Sequence, residues 1–336
     1  MIIIALLLLI LVLVILKKAD KTLENISRSP ANRNYVENVD EIIRKEKTVK
    51  TIRYVVSYTF LILMAIFMIL PFYWMLITSL KNETEINLFT PTFFPKEFAW
   101  DNYRYIFDLK YQASLNVAGE IRFNIWRLMY NTLVVGFWST IGTVITTIMA
   151  AFAFSRLKFP GRELIFTLFL ATMMVPGEMM VITNYITVVK HLKGTNTYWA
   201  MIVPFLISVY YIYLLRQNFR QIPDELYYAA KVDGTSTFKY LLKVMIPIAM
   251  PTLITITILK LMGSWNAYVW PMMVTQSDSM SLISNGLRNS FSDAEGRSAQ
   301  GQQMAAAAAV LAPLLIVFVF LRKYIMRGVS RSGIKG

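Results

Sequence analysis

The sequence predicts an all-α fold, a polytopic transmembrane helical bundle. Several apolar runs have about the length a helix needs to cross a bilayer. The runs are continuous rather than alternating with period two, which favours helices over a barrel. Charged residues make up only 16% of the 336 residues while 56% are hydrophobic, with a mean hydropathy of +0.50. Soluble domains carry about 25% charged residues, so this chain cannot cover its surface for water. In lipid every backbone N–H and C=O must be satisfied within the protein, which leaves helices or closed barrels.

The elements follow in order. The first run is Ile2–Leu16, closed by Lys17 and Lys18. It lacks the basic stretch and small-residue cleavage site of a secretory signal. The expectation is an extra N-terminal transmembrane helix, N-terminus outside, lengthened by snorkelling lysines. Residues 17–53 hold ten Lys/Arg and six Asp/Glu and read as a cytoplasmic linker, helical around Val36–Lys47. The next run, Tyr54–Leu80, contains Pro71, which a membrane helix tolerates. Residues 81–127 form a long mixed loop outside the membrane. Further runs at 128–154, 164–189, 198–215, 244–269 and 304–321 complete six core helices. Pro176-Gly177 should break the 164–189 run, and Pro247, Pro251 and Pro271 flank or kink the 244–269 run. The expected division is residues 1–53 as an added helix and linker, and 54–336 as the main transmembrane domain.

Charge sets the orientation. A net charge of +14 on a soluble chain would point to nucleic acid. Here the basic residues sit in loops beside apolar runs, so the charge reads as topology and no nucleic-acid partner is expected. Segments 17–53, 155–163, 216–243 and 322–336 carry 23 Lys/Arg against 10 on the opposite side. By the positive-inside rule they are cytoplasmic, and so is the C-terminus. Cysteine is absent and His191 is the one histidine. Thiol chemistry and multi-histidine metal sites are therefore excluded. No phosphate-binding G-x-x-x-x-G-K-[ST] is present, so ATP binding is not expected of this chain. The sequence offers no catalytic constellation, metal site or cofactor site, and a membrane-embedded enzyme would lack the groups it needs.

The most informative stretch is Gln221–Pro251. Pro223 suits the first turn of a helix, and Asp224 and Glu225 place negative charge where the helix dipole favours it. That helix should run to about Val232. Gly234 can end it in the left-handed conformation, and Thr235 or Ser236 can cap a second helix that enters the membrane and meets Pro247. Ala229 and Ala230 would let another surface approach closely. Loops between helices are usually short. One of nearly thirty residues with ordered start and stop signals reads as a rigid docking elbow.

This pattern resembles the coupling ("EAA") loop of binding-protein-dependent ABC importer permeases: E-A-A, three residues, glycine, nine residues, then a proline-ended apolar group. Here it reads Tyr228-Ala229-Ala230, Lys231-Val232-Asp233, Gly234, nine residues, and Val244-Met245-Ile246-Pro247. Tyr228 stands where the family usually has Glu, and Tyr227 also replaces a frequent Glu. The resemblance extends over most of the chain from about residue 54. It is carried by Leu70–Met75 with Thr78–Lys81, Asp101-Asn102-Tyr103, Tyr130–Leu133, Ala150–Arg156 with Phe159–Arg162, and Asn196–Ala200. Ser264-Trp265-Asn266 with Trp270-Pro271, Ala305–Ala309 and Gly333–Gly336 extend it toward the C-terminus. Within the importers it is similar to the smaller maltose-transporter permease and to multiple-sugar and glycerol-phosphate permeases.

The resemblance implies the type I ABC importer permease fold in a bacterial inner membrane, importing sugars, oligosaccharides or glycerol phosphate. It implies a second homologous permease subunit, two ATP-binding cassette ATPase subunits that dock on the coupling loop 216–247, and an extracytoplasmic solute-binding protein. Membrane lipid surrounds the assembly. Glu225, Tyr228, Ala229, Ala230, Asp233, Gly234 and Pro247 are the expected ATPase-coupling residues.

Charges within membrane helices mark solute paths. Glu178, just after Pro176-Gly177, and Lys260, about four turns into its helix, are therefore path candidates. They also leave room for an ion-coupled transporter, in which the long elbow would lack a purpose. Tyr185, Trp199, Tyr210, Tyr211, Trp265, Tyr268 and Trp270 can stack on sugars or form interfacial belts. Asn266, beside Trp265, joins the path candidates.

Overall fold

The computed structural model describes residues 35–115, 123–291 and 299–330, with the backbone alone for 35–42 and 321–330. The expected helix at Ile2–Leu16, the first half of the linker and the last six residues lie outside the described residues. The chain divides into two compact units, Met1–Ile77 and Thr78–Gly336.

In the first unit the described residues belong to one helix, α1 (Tyr35–Ser79), which continues into the second unit. It runs unbroken through Pro71 and joins the expected helical part of the linker to the membrane run.

The second unit is built around α5 (Ile125–Arg156), 32 residues long. Before it come α2 (Glu83–Ile86), α3 (Asp101–Phe107) and α4 (Leu109–Leu115). After it come α6 (Arg162–Thr172), α7 (Gly177–Tyr185), α8 (Tyr198–Ile202), α9 (Val209–Arg220), α10 (Asp224–Val232) and α11 (Thr237–Tyr240). The chain closes with α12 (Ile246–Trp265), α13 (Val269–Val274), α14 (Ile283–Ser290) and α15 (Gln300–Ser330). Helix α5 packs along α9 and α12, and α12 also packs on α15. Leu215, Phe219, Tyr240, Leu241, Met245, Ala249 and Ile256 form the core of that contact, with Ala151 and Phe152 of α5.

Among the described residues four helices are long and apolar enough to cross a bilayer, and the count reaches six if each of two bent pairs is one span. The first pair, α6 and α7 with its continuation to His191, is bent by 88°. The break falls where the sequence places it, since Pro176 has extended backbone (ψ 129°) just before α7. The second pair, α8 with Val203–Phe205 and then α9, is bent by 45°. Pro204 sits at this break, where the helix tightens and stops. Between α11 and α12 the helix widens over Leu241–Met245. Pro247 follows at once and has no N–H to donate to a carbonyl one turn back, and a widened turn accommodates that loss.

The loops at the Ile125 end of α5 are tied by side chains. Asn131, 2% exposed, donates to the carbonyls of Ser279 (2.9 Å) and Ser281 (3.0 Å) and accepts from the Tyr198 hydroxyl (2.7 Å). The next residue, Thr132, accepts from Ile283 N–H. Asn196 takes a left-handed backbone (φ 56°) and accepts from the N–H groups of Gln276 and Ser277. The buried side chain of Gln112 donates to the carbonyls of Tyr105 and Phe123 and accepts from Phe123 N–H. Glu85 pins the loop after α2: its carboxylate accepts from the Thr92 hydroxyl and from Lys96 N–H.

Two outcomes follow. Asn131→Ala leaves three polar groups without a partner, at about 1–3 kcal/mol for each that stays buried. The thermal unfolding midpoint of the purified protein should fall accordingly. The Thr92 hydrogen bond, aided by Lys96 N–H and the charges of Lys81 and Lys96, holds the Glu85 carboxyl below its ordinary value of 4.5 against the opposing effect of burial. A depressed folded value means the stabilisation is complete above the unfolded pKa and is lost as pH falls through the folded one. Hydrogen exchange should show residues 85–96 losing protection only below pH 4.5, and Glu85→Gln should remove that pH dependence.

Candidate functional site

Two features concentrate the residues singled out by sequence: an elbow at the Arg156 end of α5 and a cleft between α5, α9 and α12.

The elbow is α10, a tight turn and α11. Asp224 and Glu225 occupy the first turn of α10 after Pro223. Its end is closed by two reversed hydrogen bonds, Thr235 N–H to Ala230 C=O (2.8 Å) and Gly234 N–H to Lys231 C=O (3.1 Å). This pairing is the Schellman stop, which needs a left-handed residue at the glycine, and Gly234 has φ 67°. A Cβ added at Gly234 would meet nothing within 4 Å, so the glycine is there for its backbone angle and not for close packing. Ser236 then caps α11 by accepting from Lys239 N–H, and Lys231 Nζ donates to Thr237 Oγ1 across the bend (2.8 Å).

The two tyrosines of the elbow take different roles. Tyr227 packs inward, edge-on to the buried Tyr240 with centroids 5.1 Å apart, and the Lys231 ammonium lies over its ring, 5.5 Å from the centroid. Tyr228 is 55% exposed, Val232 is exposed one turn further along the same face, and Leu226 and Phe238 are exposed as well. Ala229 and Asp233 are also exposed, and Ala230 is half-buried against the core. The result is a small apolar surface on a rigid base. Pro247 lies beyond it, at the start of α12.

Arginines fasten that base. Arg156, at the end of α5, pairs with Asp224 and donates to the carbonyls of Phe219 (2.9 Å) and Ile222. Arg216 of α9 is 2% exposed, donates to Phe154 C=O (3.0 Å) and grips Glu163 of α6 through both carboxylate oxygens. Its guanidinium lies 3.8 Å from the Phe166 ring centre. Sequence alone assigns no role to Arg156, Arg216 or Glu163. The available signals were a basic residue closing Ala150–Arg156 and an arginine at the end of an apolar run.

The cleft has a volume of 480 Å3. Val135 and Ser139 of α5, Phe205 and Ser208 from the α8–α9 break, Tyr210 and Tyr211 of α9, and Lys260 and Ser264 of α12 line it, with Tyr268, Trp270 and Pro271. Lys260 Nζ donates to Phe205 C=O at 3.1 Å. Thr143 Oγ1 donates to the same carbonyl, and Thr146 Oγ1 to that of Leu206. The remaining path candidates sit elsewhere. Glu178 is exposed on α7 and no ion pair joins it to Lys260. Trp265 is 7% exposed and turns into the core with Tyr105, Phe123 and Ile283. Asn266 is exposed beside the cleft and donates to Met262 C=O. The aromatics that do face the cleft are Tyr210, Tyr211, Tyr268 and Trp270. Among the described residues no group of three acidic or histidine side chains could hold a metal.

Comparison with known proteins accounts for this pairing of elbow and cleft. The model of the binding-protein-dependent transport system inner membrane component family matches residues 142–331, which takes in the elbow and all of the cleft lining but Val135 and Ser139. The chain belongs to this family. It is therefore a membrane-spanning permease component of a transport system. The chain is 30% identical over 285 residues to the arabinooligosaccharides transport system permease protein AraQ of Bacillus subtilis (strain 168), covering 82% of this chain and 94% of that one. It is 25% identical to the sn-glycerol-3-phosphate transport system permease protein UgpE of Escherichia coli O1:K1, covering 82% and 95%. In fold it matches a chain of a bacterial ABC transporter involved in the import of the acidic polysaccharide alginate, with TM-score 0.69 at 20% identity over 82% and 96% of the two chains. The family fold gives the bundle its type I ABC importer permease architecture.

Arg156→Ala should loosen the elbow by removing the donors that Phe219 and Ile222 carbonyls share, about 1–3 kcal/mol for each group left bare. Hydrogen exchange of residues 221–236 should speed up, with little change around Asn131.

Proposed function

We propose that this permease is one of two homologous subunits forming the path of an ATP-driven importer for sugars or oligosaccharides. The elbow carries the reading. It combines exposed apolar side chains at Tyr228 and Val232, one turn apart on the same face, with a base clamped by Arg156 and a stop fixed by Gly234. Such an element suits the docking of a motor subunit, because a rigid lever passes displacement on to α12 through Pro247. Two ATP-binding cassette subunits engage the two elbows, and their closure on ATP turns the path from inward- to outward-facing. Glu225, Ala229, Ala230 and Asp233 lie on or beside the docking face.

The excess of Lys/Arg on the elbow side makes that side cytoplasmic, with the C-terminus inside. An extracytoplasmic solute-binding protein delivers solute to the opposite loops, including 81–127. Residues 54–336 act as the permease domain, with residues 1–53 as an added helix and linker. The cleft contributes this subunit's share of the path. Its lining suits a carbohydrate: tyrosine and tryptophan faces for C–H groups, with serine and tyrosine hydroxyls for ring oxygens. A second reading, import of glycerol phosphate, is favoured by similarity to UgpE.

The elbow is tested by a series at Gly234. A left-handed backbone costs a β-carbon residue about 1–2 kcal/mol, and asparagine tolerates it best. In proteoliposomes Gly234→Asn should keep coupled uptake and Gly234→Val should lower uptake about tenfold, the equivalent of 1.4 kcal/mol. The ATPase should co-purify with the wild-type permease. Normal coupled uptake by Gly234→Val, or failure of any ATPase to co-purify, overturns the assignment.

A further inference from the structure

We infer that the cleft selects an anionic polar solute, with a carboxylate or phosphate oxygen set against Lys260; this deepens the proposed import function and rests on it. The fifteen residues that line the cleft include one cation, Lys260, and no acidic side chain. Among the described residues no carboxylate lies within ion-pair distance of its ammonium. Its recorded partner is the carbonyl of Phe205 at 3.1 Å, which already accepts from Thr143. An ammonium has three donors, so the Phe205 bond leaves two for a ligand in the cleft. A cation at membrane depth is costly unless it faces a cavity and finds a countercharge.

Tyr268 adds an independent contribution. It lines the same cleft, and its hydroxyl accepts from Arg288 while the guanidinium lies 5.5 Å from its ring centre. Accepting from a cation polarises the phenol and strengthens its own O–H as a donor. Lys260 is a donor-only group, which matches an oxyanion better than the mixed donor–acceptor edge of a neutral sugar. The candidate solutes are therefore sugar acids, such as uronate oligosaccharides, or small phosphate esters.

The test uses the complete importer in proteoliposomes, with its partner permease, ATPase and binding protein. Three probes are compared: a galacturonate trisaccharide, its carboxyl-reduced neutral twin of the same size and linkage, and glycerol 3-phosphate. The expected result is uptake of the uronate or the phosphate ester in preference to the neutral trisaccharide. Lys260→Gln should lower uptake of the anionic probe about ten- to a hundredfold, while Lys260→Arg should retain most of it. The preference of the wild-type complex between the twin trisaccharides stands even if Lys260→Gln fails to assemble. Uptake of the neutral twin at least equal to that of both anions overturns the inference and leaves carbohydrate import intact. Anion uptake that Lys260→Gln leaves unchanged overturns it as well. If none of the three probes enters an assembled complex that hydrolyses ATP, the carbohydrate reading falls together with it.

Discussion

The carbonyls of Phe205 and Leu206 lie at a break in the chain, and side chains of neighbouring helices donate to both. Pro204 stops the helix there, and the backbone groups it frees must find partners within the protein. Thr143 and Thr146 from α5 and Lys260 from α12 supply them. That requirement draws three helices to one point and opens the cleft beside it. Gly142 fits the same need, since a Cβ there would meet Leu206 at 2.4 Å. The threonines along α5 thus serve as local solvent for an irregular segment, and the cleft is a by-product of how the break is satisfied.

The elbow handles its chain reversal differently, because it lies at a polar end of the bundle. Its stop depends on a left-handed glycine and two reversed backbone bonds rather than on neighbouring side chains. Neighbours enter at the base, where Arg156 and Arg216 hold the ends of α5, α6 and α9 in place. The exposed face carries little polar obligation of its own, which leaves it free to meet another surface.

Local chemistry was readable from the sequence wherever it determined the backbone. Pro176 broke its helix, Gly234 ended α10, and Ser236 capped α11, because each acts through its own φ or its nearest N–H. The family motif around Asn131 was visible too, but its partners lie about 150 residues away at Ser279 and Ser281, beyond any local signal. Side-chain direction was harder. Trp265 and Lys260 stand on one helix, yet one turns into the core and the other into the cleft. Helical spacing alone did not separate them, since in a membrane chain every face of a helix is apolar and periodicity loses its contrast. Pro204 carries the same local breaker signal as Pro176, and the 45° bend falls at it.

Tyr227 and Tyr228 stand where the related loops usually carry carboxylates. One has become an internal brace against Tyr240, and the other a bare aromatic contact. The surface at this point therefore offers a neighbour aromatic area at Tyr228 in place of negative charge.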